Sequence, residues 1–116
     1  MGDVLSGDGE SPRLKVLRSF VAQKPGDPFP RYALAMELKS VGDLQAAWEG
    51  FEALIAEQPD YIACYTPAGD VLTALGRPED ARAVYRKGIE ACARKGDAHI
   101  QANLEEALAA VDEPAS

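Results

Sequence analysis

The chain has 116 residues, 47% of them hydrophobic, and a net charge of −7. That length allows one modest domain. No apolar run approaches the ~20 residues a membrane span needs, and scattered cations outnumbered by acids lack the clustered positive charge that nucleic-acid binding requires.

Met1 to Glu10 carries three glycines and three acids, so a disordered tail is expected there. Ser11-Pro12 reads as a cap and first helical residue, opening a helix over about 12–23 with Leu14, Leu17, Phe20 and Val21 on one face. Asp27-Pro28 repeats the device for a second helix over about 28–41, which Gly42 ends. This helix carries two apolar stripes, Leu34–Leu38–Val41 and Phe29–Tyr32–Met36. Asp43 caps a third helix over about 44–57, whose inward residues are Leu44, Ala47, Trp48, Phe51, Leu54 and Ile55. The fourth is expected over about 62–75, kinked by the interior Pro67. The fifth covers about 78–94, with Ala81, Val84, Tyr85, Gly88, Ile89 and Cys92 facing inward. The sixth, about 98–111, has a single stripe of Ile100, Leu104, Ala107, Leu108 and Val111, and residues 112–116 should fray.

A shift of 34 residues lays the chain on itself. Pro25 falls on Pro59, Leu38 on Leu72, Gly42 on Gly76 and Ala47 on Ala81; Phe51 falls on Tyr85 and Ile55 on Ile89. The matched residues are turn glycines, a small residue and large apolar ones, which set packing geometry. In the first copy, Arg31, Leu34-Ala35, Leu38, Ala47, Phe51 and Pro59 follow the spacing of a known motif. In the second, Tyr65, Ala68-Gly69, Leu72, Ala81, Tyr85 and Ala93 do so. The pattern resembles the tetratricopeptide repeat (TPR) family. Arg31 stands in for its first aromatic and Ala93 for its closing proline. The resemblance implies an all-α fold, a right-handed α-solenoid of about six helices in antiparallel pairs. Residues 11–27 would be a half-repeat helix, 28–61 and 62–95 two repeats, and 96–111 a capping helix.

It also implies a protein- or peptide-binding adaptor or scaffold without enzymatic activity. The first helix of each repeat would line a concave groove, placing Phe29, Tyr32, Met36, Lys39 and Ser40 there from the first copy, with Ala63, Thr66, Asp70 and Thr73 from the second; the alternative for Phe29 and Tyr32 is internal packing against the first or fourth helix. Some relatives clamp a terminal carboxylate with lysine, asparagine and arginine. Here Tyr32 and Met36 replace the first two and Asp70 has the wrong sign, so an apolar segment is the expected ligand. The alternative is a structural unit that self-associates as a weak homodimer through the incomplete N-terminal half-repeat.

No phosphate loop, nucleophile elbow or CxxC occurs, and no catalytic residue, cofactor or metal site is expected. The single histidine, His99, reads as a polar residue at a helix start. Arg82 and Arg86, one turn apart beside Glu79 and Glu90, read as a solvated face with ordinary ion pairs. Cys64 and Cys92 lie on different helices without framework spacing. With no basic-then-apolar secretory signal, a reducing cytoplasm is the expected location.

Overall fold

Each helix packs on the one that follows it, and α4 also reaches α6, which is the contact pattern of a solenoid. A computed structural model describes residues 10–112. Among these, the α-helices are α1 (Pro12–Gln23), α2 (Pro28–Ser40), α3 (Leu44–Glu57), α4 (Tyr65–Ala74), α5 (Pro78–Lys95) and α6 (Ala98–Asp112); there is no strand. Residues 1–9, most of the expected tail, and residues 113–116 lie outside the described part. Glu10, the tail's last residue, pairs with Arg18 at 2.6 Å.

Short polar caps set the helix starts. The Leu14 N–H donates to Ser11 Oγ (3.2 Å), that of Phe29 to Asp27 Oδ1 (3.1 Å), and that of Ile100 to Asp97 Oδ1 (2.9 Å). Each satisfies an amide that has no partner within the helix. Proline opens α1, α2 and α5, where a missing N–H costs no helical bond. Two ends are copies of each other. Asp43 N–H donates to Leu38 O and Arg77 N–H to Leu72 O, both at 2.9 Å, around Gly42 and Gly76 with φ of +89° and +76°. That left-handed conformation strains any residue with a Cβ.

The buried seam runs along the stack. Ala35 and Leu38 of α2 meet Ala47, Phe51 and Leu54 of α3; Tyr65, Ala68 and Leu72 of α4 meet Ala81, Tyr85 and Cys92 of α5; Leu104 of α6 closes the end. Fully burying a side chain such as Phe51 contributes about 2–3 kcal/mol. Arg31, in place of an aromatic, reaches Glu57 across the pair at 2.7 Å. Tyr65, its counterpart in the second copy, is fully buried, and its hydroxyl donates to Pro59 O.

Four expectations need correction. The fourth helix does not run from 62 with a proline in its interior. Ile62–Cys64 form a 3₁₀ turn, and α4 starts at Tyr65. Pro67 is therefore its third residue, among amides that have no helical partner. Phe20, expected inward, is 49% exposed, because no helix of the described residues lies across that part of α1. Val41, expected in the buried stripe of the second helix, is 51% exposed, because α2 ends at Ser40 and the chain turns there. Asp112, expected to fray, is the last residue of α6 and accepts a hydrogen bond from Arg82.

Candidate functional site

The fixed start of α2 decides what its outer face presents. With Asp27 as cap, Phe29, Tyr32 and Met36 follow at spacings of three and four, which stack on one side of a helix. Phe29 is 62% exposed. Tyr32 is half-buried between two rings, 6.5 Å from Phe29 and 5.7 Å from Tyr61. Met36 is partly buried against the core.

These three side chains form one wall of a cavity of about 440 Å³ between α1 and α2. Ala33 and Glu37 complete that wall, and Arg13, Val16 and Leu17 of α1 form the other. Arg13 faces Glu37 across it at 3.8 Å, with the arginine side chain largely in solvent. The lining is otherwise apolar, so the cavity suits hydrocarbon or an aromatic ring.

The second copy makes a different surface. Asp70 and Thr73 of α4 line a hollow of about 410 Å³ with Ala74, Tyr85 and, from α6, Ala107, Ala110 and Val111. Both polar groups are engaged within the protein: Tyr85 Oη donates to Asp70 Oδ1, and Thr73 Oγ1 donates to Gly69 O at 3.0 Å. Burial, and then this bond to Asp70, push the Tyr85 hydroxyl far above the usual tyrosine range.

Of the nine residues expected to line a groove, Phe29, Tyr32 and Met36 thus share one cavity, and Asp70 and Thr73 share another. Lys39 and Ser40 lie in the last turn of α2, Ala63 in the 3₁₀ turn and Thr66 in the first turn of α4. Sequence reasoning did not put Arg13 and Val16 at the site. The 34-residue shift applied twice could have found Val16, since it carries that residue onto the buried Val84 of α5.

Among the described residues, no cluster of three or more His, Cys, Asp or Glu side chains could hold a metal ion. Cys64 and Cys92 are buried free thiols, and burial pushes Cys64 up to about 12. Arg82 bonds Glu79 within α5 and Asp112 of α6. No helix of the described residues is long and apolar enough to cross a membrane.

No protein-family model matches the chain, and neither does any curated protein. Solved structures do. The chain is 34% identical to a tetratricopeptide repeat domain protein from Salinibacter ruber. The solution NMR structure of that domain aligns over 77% of this chain and 90% of that one, with a TM-score of 0.72. A crystal structure of an S. ruber tetratricopeptide repeat domain protein, again 34% identical, aligns over 74% of this chain and 96% of that one, with a TM-score of 0.71. The type III secretion translocator chaperone SycD from Yersinia enterocolitica shares the fold at 15% identity, with a TM-score of 0.77 over 84% of this chain and 68% of that one.

Proposed function

Because the chain belongs to the tetratricopeptide repeat family, we propose that it is a non-enzymatic adaptor that holds an apolar protein or peptide segment on the face presented by α2 and α4. The observation that carries this reading is Phe29, 62% exposed beside a cavity walled by Tyr32 and Met36. One stripe is enough to attach a helix to its neighbours. On α2 that work falls to Ala35 and Leu38, both buried. The second stripe lies beside that seam and leaves Phe29 in solvent. Aromatic and methionine side chains are favoured contact residues because they offer large area and adaptable shape.

The chemistry of the face selects the ligand. Tyr32 and Met36 provide no cation for a terminal carboxylate, and Asp70 would repel one. Binding therefore rests on burial of apolar groups, worth about 1.5–3 kcal/mol for each large side chain taken from water. Two buried free thiols fit a protein working in a reducing compartment such as the cytoplasm.

The test is a double variant, Tyr32→Ser with Met36→Ser, compared with the wild type in capture from the native extract. Loss of the captured partner with an unchanged circular dichroism spectrum is expected. Equal capture by the two proteins would contradict the proposal.

A further inference from the structure

The second repeat carries a polar pair where the first is apolar. Met36 of α2 and Phe51 of α3 fall, 34 residues on, at Asp70 of α4 and Tyr85 of α5. Phe51 is fully buried, so the first repeat closes without a hydroxyl or a carboxylate at these places. In the second, Tyr85 is 2% exposed and its Oη donates to Asp70 Oδ1. That bond holds the carboxylate at the hollow between α4 and α6, beside Ala74, Ala107, Ala110 and Val111. A carboxylate offers about four acceptor sites. A neutral phenol takes one of them and leaves the negative charge uncompensated.

Charge in this hollow is one-sided, unlike that in the cavity between α1 and α2, where Arg13 faces Glu37. Among the described residues that line it, Asp70 is the one charged group. Neither α4 nor α6 contains a lysine or an arginine. Arg82, the α5 cation that reaches α6, is held by Glu79 and Asp112. Among the described residues no ion pair involves Asp70. Residues 1–9 and 113–116 contain no lysine or arginine either. A cation that completes the site therefore comes from a ligand.

We infer that the hollow seats a lysine side chain of the bound protein segment, with its ammonium on Asp70 and its methylene stem along the alanines of α4 and α6. The inference rests on the adaptor reading and names one residue of the ligand that reading requires. A long side chain with a charged tip lays its methylenes on apolar surface and brings the tip to a polar partner. Lysine needs a single carboxylate oxygen for its compact charge. Arginine fits less well, because its planar fork matches both oxygens at once and Tyr85 already bonds one of them. Asp70 is exposed, so the pair selects the ligand more than it tightens binding.

The experiment titrates the isotopically labelled full chain with blocked synthetic peptides of one apolar sequence that differ only at the centre, which is lysine, arginine, norleucine or glutamate. Norleucine keeps the stem and lacks the ammonium. The lysine peptide should shift the signals of Asp70, Thr73, Ala107 and Val111. It should bind roughly fivefold more tightly than the norleucine peptide, with a gap that narrows as salt rises, and the glutamate peptide should bind weakest. Asp70→Asn keeps an acceptor for Tyr85 Oη and removes the charge. That variant should give the wild-type circular dichroism spectrum and bind the lysine and norleucine peptides equally. Should it fail to fold, the comparison of the two peptides on the wild type still decides. No binding by the lysine peptide, equal binding of lysine and norleucine by the wild type, or a lysine preference that survives Asp70→Asn would overturn the inference. So would arginine binding as tightly as lysine, a concentration-dependent dimer broken by Asp70→Asn, or contacts from residues 113–116 to Val111 in the free protein. Any of these, with partner capture still lost in the Tyr32→Ser, Met36→Ser protein, would sink the lysine seat and leave the adaptor reading standing. Undiminished capture by that double variant would strike the adaptor reading instead.

Discussion

Gly50, Gly69 and Gly88 all lie inside helices, where glycine costs about 1 kcal/mol relative to alanine. Their surroundings make them unequal. A Cβ on Gly69 would stand 2.2 Å from Tyr85 Cε1, and one on Gly88 would stand 2.6 Å from Tyr65 Cβ. On Gly50 it would meet Ala35 Cβ at 3.4 Å, an ordinary contact. Gly69→Ala and Gly88→Ala should therefore lower stability by about 2–3 kcal/mol through overpacking. Gly50→Ala should raise it by up to about 1 kcal/mol. Urea midpoints at an unchanged slope would measure all three. Gly69 was legible in the sequence as a position of the repeat motif, beside Ala68. The aromatic that approaches it, Tyr85, was legible only as an inward residue.

Titration belongs to the same scale. Burial pushes the Cys64 thiol from its usual 9.0 and the Tyr65 hydroxyl from its usual 10.0 up to about 12. Cys92 and Tyr85 rise for the same first reason. The folded protein holds these groups neutral, so the unfolded chain gives up its protons at lower pH. Their stabilisation is complete below the unfolded values and is lost as pH climbs toward the folded ones. The thermal midpoint should stay level with respect to these groups through neutral pH and fall once pH passes 9.0 toward about 12. A midpoint that rose over that window would contradict the assignment.

At the scale of elements, caps and punctuation carried the helix pattern. Ser11-Pro12, Asp27-Pro28, Gly42 and Gly76 are local signals, and the bonds they predict are made. The start of α4 was not legible, because two rules competed there. The repeat register asks for helix from 62, while Pro67 would press on the carbonyl of Ala63, four residues back. A 3₁₀ turn over Ile62–Cys64 resolves the conflict, closed by the Cys64 N–H to Tyr61 O bond of 3.3 Å. Replacing a proline in a helix interior would stabilise by about 3 kcal/mol. Pro67→Ala should instead destabilise by about 1 kcal/mol, since no helical bond is regained and buried ring carbons are lost. A gain in stability on substitution would show that the ring does strain the helix.

At the scale of the molecule, periodicity tells which faces are apolar but not which of them are covered. The solenoid was legible because each unit contacts only its neighbours, so a fixed repeat length and a fixed set of packing residues specify it. Phe20 was misread as inward because coverage depends on whether another helix lies across it, and Val41 because α2 ends one residue before it. The candidate site was half legible for the same reason. Phe29, Tyr32 and Met36 stood out as a stripe beside the one that packs α2 on α3, whereas the α1 wall of their cavity looked like ordinary core. As the edge helix, α1 packs chiefly on α2, so its amides should exchange fastest among the helices and define the least stable unit.

Amide hydrogen exchange of the full chain, compared with and without its captured partner, tests the adaptor most directly. Added protection is expected in α2 and α4, with α5 little changed. Protection confined to α3 and α5, with α2 exchanging as it does in the free protein, would contradict binding at this face.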